Sequence, residues 1–256
     1  MVKRTGKQAA SRADTRRFLR VAGLPAVSAL FSTAPMRVQR LFFDQRMKPY
    51  VGEFCAQLAR ERKPYRLVDT DELGRVAGSI MHGGVVAIAS PRPLPALDLA
   101  SAEGWARDSR LLLLLDGVGN PHNLGAIART AAFFGIPRIV LSDHPAQASP
   151  SDASYRVAEG GLEYVELYRA VHFARALRHL RRTYYVIAAA AEDGQPIGTL
   201  HLSQRPIALI LGNEEHGLPR ATLEACDRIV TIRGSGLVQS LNVAATAAIL
   251  LHALVG

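Results

Sequence analysis

The sequence predicts an α/β protein: a mostly parallel sheet with helices on both faces, preceded by a smaller α/β unit. Three observations predict it. Five apolar runs, "LLLLL", "RIVL", "YYVIAAA", "IALIL" and "RIVTI", recur from Leu111 onward. Continuous rather than alternating apolar strands are the kind buried on both faces of a parallel sheet. Helical segments fall between these runs, notably "NLGAIARTAAFFG" and "AVHFARALRHLRR". Ahead of them, Pro91, Pro93 and Pro95 mark a stiff, extended stretch that continues a sheet poorly.

The elements follow in order. Residues 1–21 read as a basic tail, with Lys3, Arg4, Lys7, Arg12, Arg16, Arg17 and Arg20 against Asp14, so a short segment holds most of the net charge of +9. Such a tail is attracted to polyanions, nucleic acid first among them, or serves as a solubilising leader. Arg16 and Arg17 precede a mildly apolar run in the manner of an export signal, but the run is short and Pro25 interrupts it. Residues 22–90 read as a small α/β unit: helix "PAVSALFS", strand "RVQRLFF", helix "YVGEFCAQLARER" with Val51, Phe54 and Leu58 on one face, strand "YRLVD", helix "DELGRVAG" with Asp69 and Glu72 at capping-box spacing, and strand "GVVAIAS". Residues 91–109 read as a linker and 110–256 as the large domain. Its last segment, "SLNVAATAAILLHAL", is apolar on nearly every side, so it must be buried all round, and a partner subunit is one way to bury it.

Composition excludes several classes. Cys55 and Cys226 form no paired motif, so neither a disulfide framework nor a zinc ribbon is expected, and reduced cytoplasm fits best. The histidines show no metal-ligand spacing, and "NEEHG" is too tight a cluster to coordinate well, so no metal is expected. No window reaches the roughly 20 apolar residues of a membrane span.

The chemistry lies in three loops at the carboxyl ends of strands, where open α/β sheets bind ligands. The first, "DGVGNPHNLG", has Gly117 and Gly119 of a dinucleotide fingerprint, but His122 stands where the third glycine is required. It offers instead Asn120, Asn123 and Arg129, of which Asn123 is either a helix cap or a site residue. The second, "GNEEHGLP", carries Gly212, Asn213, Glu214, Glu215 and Gly217. The third, "RGSGLVQSLN", carries Gly234, Gly236, Ser240 and Asn242, and its glycines leave backbone amides accessible to a ligand. Ser240 is alternatively a cap for the apolar helix.

"NPHNLGAIARTAAFFG", "ALILGNEEHGLP" and "SLNVAATAAILLHAL" resemble, in order and spacing, the three motifs of the SpoU family of RNA ribose 2′-O-methyltransferases, of the SPOUT superfamily. "DELGRVAGSIMHGGVVAIA" is similar to the end of that family's ribosomal-protein-like substrate-binding domain. The resemblance implies a trefoil-knotted parallel sheet, S-adenosylmethionine as cofactor, ribosomal or transfer RNA as substrate with ribosomal RNA favoured, a homodimer and no metal. It implies that Leu211, Gly212, Asn213, Gly217, Ile232, Gly236 and Leu241 hold the cofactor. Arg129 is expected to act centrally in catalysis, with Asn123, Glu214, Ser240 and Asn242 building the site. Where the family usually has Pro-Met, Arg233 and Gly234 stand here, which places a charge beside the cofactor loop. The competing reading is a catalytically silent RNA-binding or ribosome-assembly factor on the same fold.

Overall fold

A computed structural model describes residues 18–108, 111–201, 204–213 and 215–255; most of the basic tail and Glu214 lie outside them. The chain divides into two compact units, one ending at Pro93 and the other beginning at Leu94.

The first unit runs β1 (Leu19–Ala22), α1 (Leu24–Thr33), β2 (Val38–Phe43), α2 (Gly52–Arg60), β3 (Tyr65–Leu67), α3 (Thr70–Ala77) and β4 (Val85–Ala89). Its sheet has the order β1-β4-β2-β3, with only β2 and β3 parallel. The expected face of α2 is the packed one: Val51 and Leu58 are buried, and Phe54 stacks on Phe31 with ring centroids 4.3 Å apart. Asp69 caps α3 by accepting from the Glu72 amide at 2.6 Å. One boundary needs correction. Residues 19–21, assigned to the tail, form a strand with Ala22 that pairs antiparallel with β4, because Val21 and Ala22 are buried while Arg20 points outward between its apolar neighbours.

The second unit opens with a further difference. The segment expected as linker carries helix α4 (Leu99–Trp105), capped by Asp98, which accepts from Ser101 N at 3.0 Å. Ala102 is fully buried and its carbonyl accepts from Tyr184 Oη at 2.8 Å, while Trp105 packs on Tyr168 with the Arg138 guanidinium over its ring. The prolines stop at Pro95, and Asp98 restarts helix just beyond them.

There follow β5 (Leu111–Asp116), α5 (Pro121–Phe133), β6 (Arg138–Leu141), α6 (Asp152–Ala158), α7 (Gly161–Tyr164), β7 (Glu166–Arg169), α8 (Phe173–Leu180), β8 (Tyr185–Ala189), β9 (Gln195–Pro196), β10 (Ile207–Gly212), α9 (Arg220–Glu224), β11 (Arg228–Thr231) and α10 (Val243–Val255). The seven strands form one sheet, β7-β6-β5-β10-β8-β11-β9, with every neighbouring pair parallel. The five leucines of β5 are buried, as an unbroken apolar run requires, and the sixth residue, Asp116, is buried with its carboxylate accepting from Thr222 Oγ1 at 2.6 Å. The glycine turn after β5 begins with Gly117 at φ 78 and is held by Gln147, which accepts from Val118 N and donates to Val118 O, both at 3.1 Å.

Helix α10 is covered by its own chain on one side only: Val243, Ala247, Leu250 and Leu251 are buried, but Ile249 and Val255 are 41% and 46% exposed, so one apolar face is uncovered in the single chain. It joins α5 through Phe134, whose ring lies 6.2 Å from that of His252, and the neighbouring Phe133 is 82% exposed.

Candidate functional site

The carboxyl ends of β8, β10 and β11 and the start of α10 enclose a cleft of about 420 Å³. Of the residues expected to hold a cofactor, Leu211, Gly212, Asn213, Gly217, Ile232 and Leu241 line it, and so does Ser240. Gly236 stands outside the lining; at φ 83 it turns the exposed 233–242 loop. Arg233 is also exposed and outside it. Glu214 belongs to this loop cluster by sequence but lies outside the described residues.

Asn213 organises the β10 loop. Its side chain donates to Gly117 O at 2.8 Å and accepts from the amides of Glu215 and His216, each at 2.9 Å. Its backbone exchanges hydrogen bonds with Gly217 at 3.0 and 3.1 Å. One side chain thus ties the second motif to the glycine turn of the first. Asn213→Ala is expected to cost about 0.5–1.5 kcal/mol, because it removes the part-buried bond to Gly117 O while the exposed Glu215 and His216 amides can turn to water. Thermal melting reads the loss, and hydrogen exchange at the Glu215 and His216 amides locates it; unchanged exchange there would remove Asn213 from this role.

The first and third motifs also meet. Asn242 Nδ2 donates to Asn123 Oδ1 at 3.1 Å, and Asn242 Oδ1 caps α10 by accepting from Ala244 N at 2.9 Å. Asn120, not Asn123, caps α5, accepting from His122 N at 2.9 Å, and of the two residues near the start of α10 it is Asn242 rather than Ser240 that meets its backbone donors. Asn123 sits inside the first turn, 9% exposed, facing the third motif. Arg129 is six residues further along α5, roughly 240° around the helix from Asn123 at 100° per residue. It is exposed, outside the cleft of its own chain, and paired with Glu159 at 3.0 Å.

Ala189–Glu192, the turn after β8, also lines the cleft, together with Gln239 and Thr246 of the third motif region. No motif in the sequence marks these residues, although the position of the "AAAED" turn at a strand's carboxyl end is a signal. The turn brings Glu192 to the cleft that Glu215 also lines, and no lysine or arginine lies among the described lining residues. A cleft with two carboxylates and no compensating cation disfavours a pyrophosphate and favours a ligand carrying positive charge. No group of side chains suited to a metal occurs among the described residues. Burial pushes the Cys226 thiol up to about 12, with Asp227 adding to the effect, so it is no thiolate nucleophile.

The SpoU rRNA Methylase family model matches residues 110–252, which contain all three loops of this site. The chain belongs to the SpoU rRNA methylase family. A second family model, RNA 2′-O ribose methyltransferase substrate binding, matches residues 20–95. Among curated SpoU relatives, an uncharacterized tRNA/rRNA methyltransferase of Escherichia coli O157:H7, YfiF, is 34% identical over 91% of this chain and 66% of its own length. The chain thus spans just under two thirds of that relative. The 23S rRNA (guanosine-2′-O-)-methyltransferase RlmB of Acinetobacter baylyi is 34% identical over 90% of this chain and 94% of its own. An AdoMet-bound rRNA methyltransferase from Sinorhizobium meliloti superposes with a TM-score of 0.75 over 96% of this chain and 89% of its own; at 23% identity it bears on the fold.

Proposed function

We propose that this chain transfers a methyl group from S-adenosylmethionine to a ribose 2′-hydroxyl of ribosomal RNA. The observation that carries the reading is the cleft itself: it is formed by the family's second and third motifs and lined by Glu192 and Glu215 with no described lysine or arginine. Its size lies in the range of about 300–1,000 Å³ typical of small-molecule sites. Leu211, Ile232, Leu241 and Val230 give apolar walls for a nucleoside, and the carboxylates suit a sulfonium. When bound, that cofactor supplies an electrophilic methyl on a good leaving group.

The protein's own task is to align the sugar and ease the loss of its proton. A guanidinium carries donors and no acceptor, so Arg129 serves as an electrostatic clamp on a phosphate or developing alkoxide rather than as a base. The Asn123–Asn242 bond holds the start of α5 against the start of α10, and Ser240 lines the cleft beside them. Arg129 lies outside its own chain's cleft, which fits a homodimer whose partner's cleft it completes. The uncovered Phe133, Ile249 and Val255 supply an apolar surface for such a contact. The knotted threading of the segment from β10 to α10 is part of the same reading.

Charge supports a division of labour. Residues 18–93 hold eleven Lys and Arg against six Asp and Glu, whereas residues 94–256 hold fourteen against fifteen. RNA is therefore held by residues 22–90 and the methyl transferred by 110–256. Ribosomal rather than transfer RNA follows from the curated relatives named 23S rRNA methyltransferases. Calorimetric titration with S-adenosylmethionine is expected to give saturable binding, and tritiated methyl transfer to unmodified 23S rRNA a product resistant to alkali at one linkage. Absence of binding at millimolar cofactor would instead favour the silent RNA-binding factor.

A further inference from the structure

The partner of Arg129 carries the inference. Arg129 Nη2 lies 3.0 Å from Glu159 Oε2, and both side chains are about half exposed. Glu159 ends α6 in the left-handed region, at φ 44 and ψ 43, a conformation that glycine or asparagine adopts more readily than glutamate. Glycine would suit that backbone, and Gly160 and Gly161 follow immediately. The residue placed there brings a carboxylate instead.

The local packing makes the placement specific. A Cβ on Gly161 would lie 2.7 Å from Arg129 Cα and 2.9 Å from Arg129 N, and a Cβ on Gly125 would collide with the carbonyl of Ser154. The segment from Ser154 to Gly161 therefore rests on α5 at two points that leave no room for a side chain. That double contact sets the register in which the Glu159 carboxylate reaches the Arg129 guanidinium.

We propose that Glu159 occupies, on the free protein, the place at Arg129 that a backbone phosphate of the RNA takes on binding. It is a positioning residue that competes with the phosphodiester for one guanidinium. The proposal rests on the reading of Arg129 given above. Carboxylate and phosphate each present paired oxygens that match the planar guanidinium fork. An exposed pair is weak and screened by salt, so it exchanges readily, which a buried pair would not. In the interval the long arginine side chain stays ordered near its working position.

The test measures binding of an unmodified 23S ribosomal RNA transcript to the wild type, Glu159→Gln, Arg129→Ala and the double variant, over a range of salt. Glu159→Gln is expected to tighten binding about two- to fivefold at low salt, the range of an exposed ion pair, with the gain fading as salt rises. In the Arg129→Ala background the same change is expected to do nothing. Glu159→Gly, which also relieves the left-handed backbone, should behave like Glu159→Gln. Unchanged or weaker binding by both Glu159 variants, while Arg129→Ala still weakens it, overturns the competition and leaves the role of Arg129 standing. Tightening that persists without Arg129 overturns it as well, as a mere loss of negative charge. An Arg129→Ala protein that binds like the wild type overturns the proposal, and the reading beneath it falls as well only if methyl transfer is also unchanged.

Discussion

Arg129→Ala is expected to lower methyl transfer to 23S rRNA by about 10²–10³-fold, the effect of removing one preorganised electrostatic group from a transition state. Stability should barely change. The guanidinium is more than half exposed and its ion pair with Glu159 is a surface pair, worth at most about 1 kcal/mol. The tight contact beneath it is made by the Arg129 backbone against Gly161, which alanine preserves. Cofactor binding should also persist, because Arg129 does not line its own chain's cleft. Transfer measured alongside a melting curve and a cofactor titration separates these effects. A variant that turns over within a few-fold of the wild type would take Arg129 out of the chemistry. Arg129→Lys should recover little, since an ammonium lacks the planar fork.

Gly125→Ala is expected to destabilise the second unit by about 2–3 kcal/mol, near the upper end of ordinary overpacking costs. For a chain of this size that lowers the melting temperature by roughly 4–12 °C. An added Cβ meets the Ser154 carbonyl, and both sides of the clash are backbone, so no rotamer change relieves it. The capping pair of Ser151 and Ser154 fixes the start of α6 at the same place, with Ser154 Oγ accepting from Ser151 N at 2.8 Å. In open space the same substitution has the opposite sign: Gly104→Ala in α4, where a Cβ meets nothing within 4 Å, should be neutral or stabilise by up to about 1 kcal/mol. Equal effects at both sites would show that α5 and α6 do not rely on this close approach.

The sequence made the large sheet legible where burial is complete. β5 and β10 are unbroken apolar runs because both faces are covered, and no polar position interrupts them. β7, with the pattern Glu-Leu-Tyr-Arg, is an edge strand with one wet face, and its four residues are too few to show a period. β1 was lost in the basic tail for a similar reason, Arg20 separating Leu19 from Val21. Helix α6 starts with Ser-x-x-Ser, without the glutamate or glutamine that usually marks a reciprocal cap. The cap of α5 had a readable signal: Pro121 takes the first helical position and points to Asn120 immediately before it.

In the site, glycine punctuation located the second and third loops, and the cleft is built largely from them. The turn of Ala189–Glu192 has no glycine, so only its place after a strand would have brought Glu192 into view. The Asn123–Asn242 bond joins residues 119 positions apart, a pairing that no local pattern encodes. Composition shows that α10 is apolar on nearly every side, but not which of those sides its own chain covers.

The place of β10 bears on how the protein is made. Ile207–Gly212 fills the slot between β5 and β8, so the middle of the sheet is supplied only after β5 to β9 have left the ribosome. Until then the nascent chain displays two apolar strand edges with unpaired amides and carbonyls, an invitation to aggregation that chaperones exist to shield. A stop codon just before Ile207 therefore yields no smaller version of the second unit: β5, β6 and β7 can still pair, but β8 and β9 are left without partners because β11 is lost together with β10.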